Sequence, residues 1–306
     1  MKVYYPEGFG MGTNENKKYV FTKAQLLSAM QSGEILEGLV YMCDSAHNLL
    51  LNLGCMKGII PRFEGAVGIS HGATRDIALI SRVGKAVCFV VEDIKTDKDG
   101  TQYALLSRRI AQQRCFDEFL LGLIPGDIIP AKVTHLETFG AFCDVGCGNI
   151  ALLPIDSISV SRISHPKDRF SVGDDIKVIV KNIDEQGRIT LSHKELLGTW
   201  KENADTLSQG ETVSGVIRSI ESYGIFIELC PNLAGLAEPK EGVKVGQTAS
   251  VYIKSIIPDK MKVKLIIIDN FDSDYSNKIK YFYEGKHIDS FLYSPENSSK
   301  KIETMF

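Results

Sequence analysis

The sequence predicts a mainly β chain built from small repeated barrels or sandwiches. Three observations carry that expectation: an internal repeat, period-two alternation of apolar residues, and glycine or proline punctuation roughly every 8–12 residues.

The repeat aligns residues 126–146, GDIIPAKVTHLETFGAFCDVG, with residues 210–229, GETVSGVIRSIESYGIFIEL. No gap is needed from Gly126/Gly210 to Val145/Leu229. Gly140 falls opposite Gly224, Phe139 opposite Tyr223, and Phe142 opposite Phe226. The second halves, Val172 to Ser192 and Val245 to Ile266, also correspond. Alternation is clearest in IKVIVKNI and ASVYIKSI, and no βαβ rhythm appears. The distance from Gly126 to Gly173 exceeds that from Gly210 to Gly246 by about eleven residues, around SISVSRISHPKDRF. Surface connections tolerate such insertions.

A weaker copy precedes these two. Residues 33–53 begin like the others if one inserted residue is allowed, and Val83 to Arg109 close the unit. His47, Leu50 and Tyr103 then stand where Phe139, Phe142 and Arg188 stand in the next copy.

Two connectors read as helical. In FTKAQLLSAMQSG, Thr22 is the candidate N-cap and Gly33 the stop. HKELLGTWKENADTLSQG, residues 193–210, carries the chain's single tryptophan, Trp200; as a helix it would hold the last two barrels at a fixed separation. The expected organisation is a segment with a short helix (1–32), a degenerate barrel (33–110), two full barrels (126–197 and 207–269) and a tail (270–306). In the tail, KIKYFYEGKHIDSFLYS suggests a hairpin around Glu284-Gly285, and PENSSKKIETMF a frayed end.

Composition excludes several classes. The chain has 306 residues, 44% hydrophobic and 24% charged, as in ordinary globular proteins. A formal net charge of -3 argues against gripping duplexes by bulk charge. It leaves open single-strand binding, where ring stacking carries much of the energy. The cysteine count, 7, is odd and no CxxC occurs, so free thiols are expected and no metal. No run approaches the ~20 apolar residues of a membrane span. A soluble, cytoplasmic protein without membrane association is expected. No Walker loop, GxSxG elbow or HExxH occurs, and acidic residues form no cluster suited to magnesium. GCGNIA (146–151) mimics a dinucleotide loop, but LLP follows where a helix should. Neither an enzyme nor a cofactor is expected.

The combination of THLETFGAFCDVG with NIDEQGRITLS, and of RSIESYGIFIEL with PNLAGLAEP and VKL, resembles the ribosomal S-one domain, an RNA-binding module. The resemblance is strong over about 126–266 and weak over about 33–109. It implies tandem five-stranded OB-fold barrels joined by short helical linkers, the second and third strands presenting aromatics to single-stranded RNA. The RNA-binding candidates are Phe139 and Phe142 in one barrel and Tyr223 and Phe226 in the next. Gly140, beside the rings, would let a base approach. Periodicity alone leaves exposed and core positions equally open for these rings. The family pattern adds an aspartate and a basic residue, matched by Asp184 and Arg188. In the next copy Ile257 replaces the aspartate and Lys262 the base. The family histidine is absent, with Pro154 and Glu238 near its place. In the insertion, Arg162, Lys167 and Arg169 would track a phosphate backbone or merely solubilise a loop.

The resulting expectation is a short ribosomal S-one-like protein that captures messenger RNA for translation. Its first barrel would be a scaffold, docking on the small ribosomal subunit. The alternatives are an accessory RNA-binding subunit of an RNA-processing or regulatory complex, and a protein-interaction scaffold that binds no RNA.

Overall fold

The computed structural model describes residues 3–20, 22–273 and 278–306. The chain divides into two compact units: Met1–Leu123 with Asp144–Ile150, and Ile124–Cys143 with Ala151–Phe306.

The first unit starts with helices α1 (Asn14–Val20) and α2 (Lys23–Ser32). The Thr22 hydroxyl accepts from the Gln25 amide, and Gly33 ends α2 in the left-handed region at φ 66°. Strands β1 (Leu36–Cys43), β2 (Leu49–Asn52) and β3 (Lys57–Ile60), then α3 (Ile77–Ile80), β4 (Ala86–Thr96), β5 (Gln102–Ser107) and α4 (Arg108–Glu118), follow. The five strands close a barrel in the order β1-β2-β3-β5-β4. Leu49, Leu51, Ile60, Phe89 and Leu106 fill it, and Leu26 of α2 joins the same core. Each such burial stabilises by about 1.5–3 kcal/mol.

A buried polar cluster organises residues 144–150 within this unit. Arg108 donates from Nε and Nη2 to the Glu7 carboxylate at 2.6 and 2.9 Å. Asp144 accepts from the amides of Glu7, Gly146 and Gly148. The GCGNIA segment is therefore a tight turn wrapped on Asp144. A strand follows it, not the helix a dinucleotide site requires.

The second barrel comprises β6 (Ile128–Glu137), β7 (Gly140–Asp144), β8 (Ile150–Pro154), β9 (Asp175–Ile183) and β10 (Ile189–Ser192). The third comprises β11 (Thr212–Glu221), β12 (Gly224–Cys230), β13 (Leu233–Ala237), β14 (Thr248–Ile257) and β15 (Lys262–Phe271). Around every barrel the strands follow one order: first, second, third, fifth, fourth. The third and fifth strands pair in parallel each time. These are three closed, five-stranded OB-fold barrels, and the chain is mainly β.

The connector 193–210 is not one helix. A 3-10 turn over Lys194–Leu197 is cut off by Gly198 at φ 84°, a conformation no helix interior adopts. A new short helix, α5 (Trp200–Ala204), starts on a capping box between Thr199 and Glu202. Trp200 lies within the core of the third barrel.

The tail also differs from its expected form. Its hairpin does not turn at Glu284-Gly285; its strands are β16 (Ser290–Leu292) and β17 (Glu303–Met305). The end is not frayed, because Phe291 and Ile302 pack against the third barrel's core. Part of the expected tail, residues 274–277, lies outside the described residues.

Candidate nucleic-acid interface

The two aromatic pairs have one geometry. Phe139 and Phe142 stand edge to face, centroids 6.0 Å apart at 89°. Tyr223 and Phe226 do so at 6.1 Å and 88°. The outer ring of each pair is open to solvent, Phe139 at 54% and Tyr223 at 65% exposure. The inner rings, Phe142 and Phe226, are half-buried. Each barrel thus leaves one flat ring open and braced by a second, and an open ring face is what base stacking uses.

The glycine between the rings has a different role from the one expected of it. A Cβ on Gly140 would lie 2.5 Å from the Leu153 carbonyl oxygen, and on Gly224 2.6 Å from that of Ala237. The third strand's backbone occupies the space, so glycine is there for strand packing and not to admit a base.

Strand register extends the faces. In the third barrel Phe226 lies opposite Leu236, Leu236 opposite Lys264, and Lys264 opposite Ser255. Lys262 is two residues from Lys264 along β15, hence on the same side. In the second barrel Leu152 lies opposite Thr190, and Thr190 opposite Asn182. Arg188, two residues before Thr190, thus corresponds to Lys262.

Arg188 is largely exposed and its Nε donates to Asp184 at 2.7 Å. Asp184 also accepts from the amides of Gln186 and Arg188, both at 2.9 Å. The Arg188 amide and then its side chain hold the Asp184 carboxyl below its ordinary value. Asp184 is saturated by its own turn and positions Arg188.

The insertion candidates separate. Arg162 and Lys167 are exposed, Lys167 on a 3-10 turn (Pro166–Asp168) capped by His165, whose Nδ1 accepts from the Lys167 amide. Arg169 is not a surface residue. It donates from both terminal nitrogens to Glu228 of β12 at 2.7 and 2.8 Å, with side-chain exposure of 1% for Arg169 and 0% for Glu228. Arg218 of β11 grips the same carboxylate at 2.9 Å. Arg169 cannot contact RNA without breaking this cluster.

The third barrel's face opens into a groove of about 560 Å³ that includes Tyr223, Phe226, Lys260, Lys262, Lys264 and Lys300. Sequence reasoning missed three of these lysines. KMKVKL put Lys260, Lys262 and Lys264 at period two, a usable signal, whereas Lys300 arrives only through tertiary folding. It also missed His135, exposed on β6 and stacked on Phe142 at 6.3 Å and 27°.

The first barrel departs at every one of these positions. Its registers place Leu50 opposite Ile59 and Ile59 opposite Leu105. Leu50 is 4% exposed, and His47 is held by Asp76, which Arg62 also grips. Among the described residues its strands present no edge-to-face aromatic pair.

Residues 123–194 match the S1 RNA binding domain family. The chain is 28% identical over 280 residues to the small ribosomal subunit protein bS1 of Staphylococcus aureus (strain COL), covering 83% of this chain and 68% of that protein. It is 28% identical over 198 residues to the bS1 homolog of Bacillus subtilis (strain 168), covering 60% of this chain and 51% of that one. A solved multidomain protein with nucleic acid binding domains from Streptococcus pneumoniae TIGR4 is 14% identical, with a TM-score of 0.26, covering 78% of this chain and 74% of that one. The domain match and the barrels together support RNA binding by OB folds. Among the described residues no helix is long and apolar enough to cross a membrane, and no cluster suited to a metal ion occurs.

Proposed function

We propose that the second and third barrels, the second matching the S1 RNA binding domain family in a chain similar to bacterial bS1 proteins, capture unstructured messenger RNA for translation. The observation that carries this reading is the repeated edge-to-face pair with one ring left open on each barrel. Stacking is sequence-tolerant, since every base has a π-face. It suits a protein that takes many messages. Two linked platforms raise affinity through effective concentration. Phe139, Phe142, Tyr223 and Phe226 stack; Arg188 and Lys262 meet phosphates; Arg162 and Lys167 lie nearer the strand's periphery.

The first barrel has a separate role in this reading. Its face is aliphatic, and Tyr41, Met42, Phe63 and Ile77 are exposed around the unit. Exposed apolar surface of this kind suits a protein contact, and the small ribosomal subunit is the proposed partner.

Titrating labelled unstructured RNA and a duplex of the same sequence into the full chain tests the capture. Clear preference for the single strand supports it; equal binding, or none, contradicts it.

A further inference from the structure

Residues 278–306 have no counterpart in the repeat, yet they are bound closely to the second unit. The Lys177 amide donates to the Tyr281 hydroxyl, and the Phe282 amide to the Leu196 carbonyl. The amides of Ile128 and Ile288 donate to the carbonyls of Lys286 and Gly126. On the third barrel, the Trp200 amide donates to the Tyr293 carbonyl, and the Tyr293 hydroxyl donates to the carbonyl of Asn232. The segment is therefore a fixed strap across both barrels.

On its way the strap passes beside the aromatic pair of the third barrel, before Phe306 packs against Ile179 and Leu196. Lys300 and Ile302 line the groove that holds Tyr223 and Phe226. Lys260, Lys262 and Lys264 of the barrel line it too, and no acidic side chain does. This matters because the chain as a whole has more acids than bases, 38 against 35. Among the described residues, the ammonium groups of these four lysines have no ion-pair or hydrogen-bond partner. The neighbouring Lys301 differs: its ammonium donates to the carbonyls of Pro295 and Glu296. Gathered unpaired cations repel one another unless an anion joins them. A groove with stacking rings and unpaired ammonium groups suits a polyanion whose bases are free, which is single-stranded RNA.

We propose that the C-terminal strap is a wall of the third barrel's RNA site, with Lys300 contacting a backbone phosphate of the strand whose bases stack on Tyr223 and Phe226. The proposal rests on the stacking reading above. It gives the strap a binding role in addition to its structural one, and makes the third barrel the more salt-sensitive of the two.

The test compares the full-length chain with Lys300→Ala, Lys301→Ala and Tyr223→Ala, titrating unstructured RNA over a range of salt. Lys300 is exposed, so its truncation leaves the fold intact. Lys300→Ala is expected to weaken binding several-fold at low salt and to flatten the plot of log affinity against log salt by about 0.7, the value for one single-strand phosphate contact. Lys301→Ala is expected to change neither. RNA carrying uncharged methylphosphonate linkages should bind wild type and Lys300→Ala alike. If Tyr223→Ala weakens binding and Lys300→Ala leaves affinity and slope unchanged, the wall is overturned and the stacking stands. If Lys300→Ala alone weakens binding, the stacking falls and the phosphate contact stands. If neither does, both fall.

Discussion

Arg169 and Glu228 form a buried, two-pronged ion pair, 2.7 and 2.8 Å, that joins the second barrel's insertion to β12 of the third. Removing one partner would leave a buried charge undercompensated, which costs roughly 3–5 kcal/mol. Arg169→Ala should therefore lower the unfolding free energy of the full chain, read from denaturant titration, by a comparable amount, moderated because Arg218 still reaches Glu228. A change under about 1 kcal/mol would mean the pair is not the tie that its geometry indicates.

Acid should loosen the same unit through His193. The ring is buried between Phe170 and Tyr281, with Nδ1 3.0 Å from the Ile158 carbonyl. Burial first, and the Arg169 charge with it, push its pKa from 6.5 down to about 4. A base whose folded pKa is depressed contributes stability above its unfolded pKa and loses it as pH falls. The second unit should thus lose on the order of 3 kcal/mol between pH 6.5 and 4 through this group. Denaturation midpoints measured across that window should fall, and the fall should shrink in His193→Gln. An identical pH profile in that variant would contradict the assignment.

Gly140→Ala and Gly224→Ala should each destabilise by about 1–3 kcal/mol, because the added methyl meets a backbone carbonyl that cannot step aside. Thermal unfolding of each variant checks this. Full stability with weakened RNA binding would restore base approach as the reason for the glycine.

How legible was this in the sequence? The barrels were, because alternation and the Gly140/Gly224 spacing are local signals that survive in one chain. The rings of Phe139 and Tyr223 were legible as candidates, while their exposure was not, since one strand's pattern does not say which side closes the barrel. Arg169 was misread because a basic residue in an insertion looks the same whether it faces water or a carboxylate 59 positions away. The connector's helical character was legible, but not its break in two, because its apolar spacing continues through Gly198, which ends the first turn. The strap's ordering depends on Phe291 and Ile302 meeting a core built by distant strands, and nothing local records that.

The first barrel should add nothing to RNA affinity. His47→Ala with Tyr103→Ala should leave titration curves for unstructured RNA unchanged, because Leu50, at the position of Phe142, is buried and the described strands of this barrel carry no edge-to-face ring pair. A loss beyond about threefold, on the order of 0.7 kcal/mol, would assign that barrel to RNA after all.

The stacking claim is tested most directly by Phe139→Ala combined with Tyr223→Ala, since both rings are exposed and their loss leaves the cores intact. Affinity of the full chain for unstructured RNA should fall by about 1–3 kcal/mol for each base that loses its ring, with circular dichroism and melting unchanged. Undiminished affinity in a folded double variant would contradict it.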